Sequence, residues 1–338
     1  MLRAMKRAAA SIALLVALSG CDWLPPPPPP SIAAAAGSSG SAGSGGSGVS
    51  GGSTATASSS GTNGAGGSAL VCPVCEAVEQ TGVLASPAQI EVSGIVASLA
   101  HKDVFYVHND SGDVARFFAI DSAGAALATF AVSGAQAIDW EDIARGPCPT
   151  GTCIFLGDIG DNQSKRSAYA VYRVTEPTTI ADASLVAETL PFTYPDGSHN
   201  AETLLADPAT GGLFVVTKTV GTSSVYAFPL PLTPGKSVVL KKAGDLSLPI
   251  MPALITGGDV HPGGRGVLIR TYSDVWLFPQ AQGMSVVDAL LGTPCAEPAP
   301  IESQGEAIGW LASGAGYMTT SEGVGAPAPI HRVKCVVP

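Results

Sequence analysis

Beyond residue 70, apolar residues come in short runs rich in valine, isoleucine, phenylalanine and tyrosine, each stopped by glycine, proline or aspartate. Runs of that length and composition fit strands. Helical periodicity is nearly absent, and MSVVDALLG is the one helix the pattern predicts. The runs also recur in order. GIVASL, DIARG, TLLAD, DVHPG and AIGWL read as first strands, each followed by a turn and an apolar run: VFYVHND, CIFLGDI, LFVVTK, GVLIRTY and GYMTTSE. A third strand follows every time, as RFFAID, YAVYRV, VYAFPL, DVWLFP and PIHRV. Fourth strands are expected at ALATFAV, ETLPFTY, SVVLKKA and around CAEPAPI.

Repeating four-stranded units at a spacing of about fifty residues predict an all-β, five-bladed β-propeller. A β-sandwich is the alternative arrangement of the same strands. The fifth unit shows no fourth run after PIHRV, whereas TGVLASPAQ, ahead of the first unit, is left over. That N-terminal strand is expected to pair into the last blade and close the ring, which also removes an exposed sheet edge.

The first 70 residues have a different character. Arg3, Lys6 and Arg7 precede a short apolar stretch ending in Leu18-Ser19-Gly20-Cys21. That pattern reads as a signal peptide over 1–20 and looks like a bacterial lipobox, with Cys21 as the acylated residue. An ordinary signal with a chance cysteine is the other reading. Residues 25–30 are prolines, and 31–70 are nearly all Gly, Ser, Ala and Thr. A stiff rod of roughly 19 Å and a coil reaching about 35 Å would make 21–70 a lipid-anchored tether. The propeller is then 71–338, exported and held at the bacterial cell envelope, with the choice of membrane open.

Setting Cys21 aside leaves six of the seven cysteines. An even number in an exported chain reads as disulfides. Cys148 and Cys153 flank a turn-like Pro-Thr-Gly-Thr and are expected to pair, whereas Cys72, Cys75, Cys295 and Cys335 allow three connectivities. A bridge from Cys72 or Cys75 to Cys335 would lock the ring closure. The Cys72-Pro-Val-Cys75 spacing also fits a redox or half-zinc motif. A net charge of −10 without a Lys/Arg cluster argues against nucleic acid. The expected state is a monomer.

Only 13% of residues are charged, yet DWEDIA puts Asp139, Glu141 and Asp142 beside Trp140. Propeller geometry supplies a reason for the crowding. The start of each first strand and the end of each second strand lie on one face, around the channel. First-strand starts carry Ser93, Glu141, Glu202, Thr256 and Glu306, one per blade. Second-strand ends carry Asn109 with Asp110, Asp158, Lys218, Arg270 and Glu322. Three carboxylates and two hydroxyls around a pore make a hard-oxygen environment suited to calcium, and a cation would relieve their repulsion. Solvation of a wet channel is the plainer account. Asp142 should point away from Glu141, toward a neighbouring blade.

The order Ser, Glu, Glu, Thr, Glu at successive first strands resembles the calcium-activated nucleotidases (apyrases). EVSGI, DWEDIA, IFLGDIGDN and GEAIGW resemble that family's blade starts. The resemblance implies a five-bladed propeller with calcium at its centre that hydrolyses nucleoside di- and triphosphates. HNDSGD, GDIGDN and QGEA also resemble a group of secreted bacterial propellers of unassigned function. Two functions are therefore expected. One is a calcium-dependent hydrolase of a phosphate ester or phosphoanhydride. In it Asp110, Asp158 or Asp161 orients or deprotonates water, and Lys218 and Arg270 stabilise charge on the phosphate. The other is a non-catalytic module presenting its face to a glycan, peptide or protein. His108, His199 and His261 read as turn or blade-contact residues.

Overall fold

A computed structural model describes residues 71–323 and 327–337 of the chain. The expected signal, Cys21 and the expected tether lie outside the described residues. Five sheets carry the fold, and their strands follow one another in sequence from the innermost outward. Blade one runs Val92–Ala97, Phe105–Asn109, Arg116–Ile120 and Ala126–Ser133; blade two runs Trp140–Pro147, Thr152–Asp158, Tyr169–Thr175 and Glu188–Thr193. Blade three holds Ala201–Ala206, Leu213–Thr217, Ser223–Ala227 and Lys241–Leu246; blade four holds Ile255–Val260, Gly266–Thr271, Val275–Pro279 and Cys295–Glu297. Blade five consists of Gly305–Trp310, Gly316–Ser321 and Pro329–Val336, completed by the N-terminal strands Val74–Cys75 and Glu79–Val83. Each inner strand touches the inner strand of the next blade, and that of blade five touches that of blade one. The ring closes as a five-bladed β-propeller, and the sandwich arrangement is excluded.

The apolar runs are continuous because every blade is covered on both faces. Neighbouring residues of an inner strand point to opposite faces. Val96 packs with Phe117, Trp140 and Leu156 between blades one and two, whereas Ile95 packs with Val107, Ala307 and Met318 between blades five and one. Three further clusters fill the remaining gaps between blades. Outer strands revert to alternation, as in Ala126–Ser133, where every second residue toward the end is buried.

Val74 and Cys75 pair antiparallel with Val336 and Cys335, and Cys75 is bridged to Cys335. Cys72 is bridged to Cys295 on the outer strand of blade four, and Cys148 to Cys153 across its hairpin. The short helix covers Val286–Leu290, capped by Ser285. Several strand expectations shift. In DVHPG only Asp259 and Val260 are strand, and the turn begins at His261. SVVLKKA is split in two. Val238–Val239 joins blade two in parallel beside Phe192 and Thr193, and Lys241–Leu246 is the fourth strand of blade three. Ala183–Val186, with no hairpin partner next to it in sequence, adds in parallel to blade one.

Candidate metal centre

Every inner strand contains one register shift at the same place. The ladder skips one residue between Val92 and Gly94, Trp140 and Asp142, Ala201 and Thr203, Ile255 and Gly257, and Gly305 and Ala307. The residues skipped are Ser93, Glu141, Glu202, Thr256 and Glu306, the five expected around the channel. A bulge leaves one residue unpaired and re-aims its side chain. All five are buried. The two hydroxyls stitch neighbouring inner strands together: Ser93 Oγ donates to the Glu141 carbonyl, and Thr256 Oγ1 donates to the Gly305 carbonyl at 2.8 Å.

The three glutamates repel one another across the channel, and more acids join them from the second-strand ends and the loops. Glu141 feels Glu202, Asp110, Asp139 and Glu306; Glu306 feels Glu322, Glu202 and Asp110. Burial, followed by that repulsion, pushes the Glu306 carboxyl up to about 9 and holds Glu141 well above the usual carboxylate range. Asp110 is raised to about 7, by burial first and by Asp139, Glu322 and Glu202 after it. Asp139, Glu202 and Glu322 are raised as well, with burial the leading cause in each. Carboxylate oxygens of Asp110, Asp139 and Glu141 lie within 4.8 Å of one another. The buried Oε2 of Glu306 has no hydrogen-bond partner.

Two cations answer this charge, Arg166 beside Asp139 and Asp158, and Lys218 beside Glu202. Lys218 Nζ sits 2.6 Å from both Glu202 oxygens and 2.6 Å from the Tyr272 hydroxyl, and the pairing with Glu202 raises its own pKa despite burial. Gly160 makes room on the other side. A Cβ there would fall 2.1 Å from Glu141 Oε1 and 2.6 Å from Asp139 Cγ, so no larger residue fits this crowded wall.

The donor set fits calcium. Two oxygens bound to one such ion lie at most about 5 Å apart, which the Asp110, Asp139 and Glu141 trio satisfies, and the orphaned Glu306 oxygen has no protein donor to lose. The trio shares only Glu141 with the expected ring of Ser93, Glu141, Glu202, Thr256 and Glu306. Asp139, Gly160 and Tyr272 were missed by sequence reasoning. Asp139 stands in the same DWEDIA segment, two residues before Glu141, but it precedes the inner strand and so falls outside the one-per-blade positions.

Other expected residues are engaged beside the cluster or away from it. Asp158 is buried in an ion pair with Arg166 at 2.8 Å and accepts the Asp139 N–H. Asp161 accepts the Lys165 and Arg166 N–H groups and the Tyr169 hydroxyl, which lower its pKa against a burial penalty. Arg270 is not at the mouth. It is 1% exposed, paired with Glu302, and donates to the Ala307 and Thr320 carbonyls inside blade five's packing. Its register places it opposite Gly257, one residue short of the strand end.

His108, His199 and His261 each pack or hydrogen-bond within the fold. His108 packs edge-on against Trp140, and burial holds it near 4. His261 bonds the Gly314 carbonyl, whose residue, at φ 71° and against the imidazole, has no room for a side chain. His199 bonds Asp196 and the Tyr226 hydroxyl. Asp142 does turn to a neighbour, accepting the Leu204 N–H of blade three at 2.9 Å.

No protein-family model and no curated protein matches the sequence. Among solved structures, a luciferin-regenerating enzyme is similar over 78% of this chain and 95% of its own, at 11% identity and a TM-score of 0.43. Nothing about the activity of the present chain rests on that likeness. The three disulfides belong to an oxidising compartment. Among the described residues no helix is long and apolar enough to cross a membrane. The chain is a five-bladed, disulfide-closed β-propeller with an acid-lined channel mouth.

Proposed function

We propose that the channel mouth binds a calcium ion and that the protein, exported and anchored through Cys21, hydrolyses a phosphate ester or phosphoanhydride there. The excess of carboxylates carries this reading. Asp110, Asp139, Glu141, Glu202, Glu306 and Glu322 surround a mouth in which Lys218 and Arg166 are the paired cations, and Glu306 keeps an oxygen without a partner. The resemblance of the Ser93, Glu141, Glu202, Thr256, Glu306 order to the calcium-activated nucleotidases supports it.

A bound calcium ion supplies Lewis acidity toward phosphoryl oxygens. The chain's own residues do the rest. Asp110, half-buried among these acids, orients the attacking water. Lys218, fixed by Glu202 and Tyr272, holds positive charge beside the ligand. Asp158 and Asp161 keep the wall in shape through Arg166 rather than meeting the substrate.

A second reading, a non-catalytic binding module, is favoured by the burial of Arg270. It leaves Lys218 as the one base of the expected pair for a phosphate to meet. The full-length protein with its disulfides formed separates the two. Its melting midpoint is expected to fall in chelator and recover with calcium, by about 2.7 kcal/mol when free ion is a hundredfold above its dissociation constant. Replacing Glu141, Glu202 and Glu306 together by glutamine removes that response. Calcium-dependent turnover of nucleotides, sugar phosphates, phytate, lactones or aryl esters, lost in Asp110→Asn, supports the hydrolase. A silent panel with an intact calcium response supports the binding module. Identical melts in chelator and calcium sink the metal centre.

A further inference from the structure

The opposite mouth of the channel holds a buried guanidinium. A cleft of about 250 Å³ there is walled by Leu99, Pro147, Pro208, Val260 and Pro262, with Arg145 and the hairpin residues Gly151 and Thr152. These positions lie at or just past the inner-strand ends of blades one to four, which places the cleft at the far end of the channel. The Cys148–Cys153 bridge braces the hairpin that forms one side.

Arg145 is 5% exposed, and among the described residues no carboxylate comes within 4.0 Å of its guanidinium. Nη1 donates to the Ala97 carbonyl at 2.6 Å, and Nη2, equally buried, has no partner. A buried cation without an anion in direct contact, and with a donor nitrogen unpartnered, is costly. Asp259 feels the Arg145 charge from beyond ion-pair distance, and the acids nearby are held mainly by backbone N–H groups. Asp259 accepts the Val260 and Trp310 N–H groups at 2.8 Å, Glu176 accepts those of Leu99 and Ala100, and Asp207 caps the turn at Ala209 and Thr210. Arg265 adds a second positive charge, contacting His261 and the Val337 carbonyl.

We infer that this far mouth is a second ligand site, taking a small organic monocarboxylate whose anion pairs with Arg145 while its apolar body lies on Leu99, Val260 and the three prolines. A carboxylate suits the unsatisfied guanidinium nitrogen through a charge-assisted hydrogen bond. The cleft is smaller than pockets for drug-sized ligands, which begin near about 300 Å³, so the body is no larger than a single ring or a short branched chain. The site is independent of the acidic mouth and needs no metal.

The test uses the full-length, disulfide-bonded protein with benzoate as the probe and benzamide as its uncharged match, at equal ionic strength. Benzoate is expected to raise the melting midpoint saturably and to bind in calorimetry, and benzamide to do neither. Arg145→Gln should weaken benzoate by ~tenfold or more, with Arg145→Lys retaining part of it. If Arg145→Gln fails to fold, Thr152→Trp, which fills the cleft from its partly exposed edge and leaves Arg145 in place, should block benzoate by itself. Equal binding of benzoate and benzamide would show an apolar cleft only and overturn the assignment. Absence of saturable benzoate binding at tens of millimolar would overturn it, as would undiminished binding in either blocking variant.

Discussion

Removing the charge of Glu306 should make the metal-free protein less sensitive to alkaline pH. Its ordinary value is 4.5, and in the fold burial, then Glu322 and Glu202, push it up to about 9. Between those two values the folded protein keeps a proton that the unfolded chain has released. Stability from this group is therefore fully present below about pH 4.5 and is lost as pH rises toward about 9. One proton corresponds to about 1.4 kcal/mol per pH unit, or about 2.7 kcal/mol between about pH 6 and about pH 8. At ~2–4 °C per kcal/mol for a domain of this size, the midpoint should fall by roughly 5–11 °C over that interval. Asp110, raised from 3.8 to about 7, adds to the slope in the same direction up to neutrality.

The assay is a series of melts in chelator from mildly acidic to mildly alkaline pH, for the native chain and Glu306→Gln. The glutamine keeps the side chain's shape without a proton to lose, so its slope should be shallower by about one proton's worth. Calcium should flatten the native curve as well, because the ion takes over the proton's work and binds more tightly as the carboxylates ionise. A native protein whose midpoint is flat in chelator over this range would refute the reasoning. So would a Glu306→Gln variant with the native slope.

Two further outcomes are expected. Arg270→Ala should destabilise by about 3 kcal/mol in chemical denaturation, because it leaves the buried Glu302 carboxylate to His331 and Thr319 alone and removes the donor to two carbonyls; a loss under about 1 kcal/mol would mean that the pair is not buried as described. Cys21→Ser should release the protein from membranes after a carbonate wash, and a variant that still sediments with membranes would refute anchoring through that residue.

Much of the architecture was legible because local and global signals agree. Every first, second and third strand was expected within a few residues, since each run is β-branched, short and stopped by a turn former. The N-terminal closure was legible from a count, one strand missing at the end and one spare at the start. What failed depends on pairing between strands distant in sequence. Ala183–Val186 and Val238–Val239 attach in parallel to the edge of the preceding blade, and nothing local marks a parallel edge. Splitting SVVLKKA required knowing that Leu240 is buried, with its N–H on the Thr193 carbonyl, where the chain passes from one sheet to the next.

The site was legible at one level and hidden at another. Ser93, Glu141, Glu202, Thr256 and Glu306 could be aligned by counting, because one residue per blade recurs at nearly constant spacing. The reason they face the channel could not be counted. In a regular strand the side chain after Glu141 belongs to the opposite face, so Glu141 and Asp139 would share one side and Asp142 the other. The bulge adds a residue to the inner strand without adding one to its partner, and it does so in all five blades. That repeated irregularity frees one side chain per blade from the packing between blades, where an acid stays only by taking backbone N–H groups, as Asp142 and Asp259 do. Arg270 failed for the complementary reason. It lies inside the regular ladder, opposite Gly257, where alternation carries a side chain into the gap between blades and toward Glu302. A polar residue of this propeller reaches the mouth by leaving the ladder, and charge alone does not take it there.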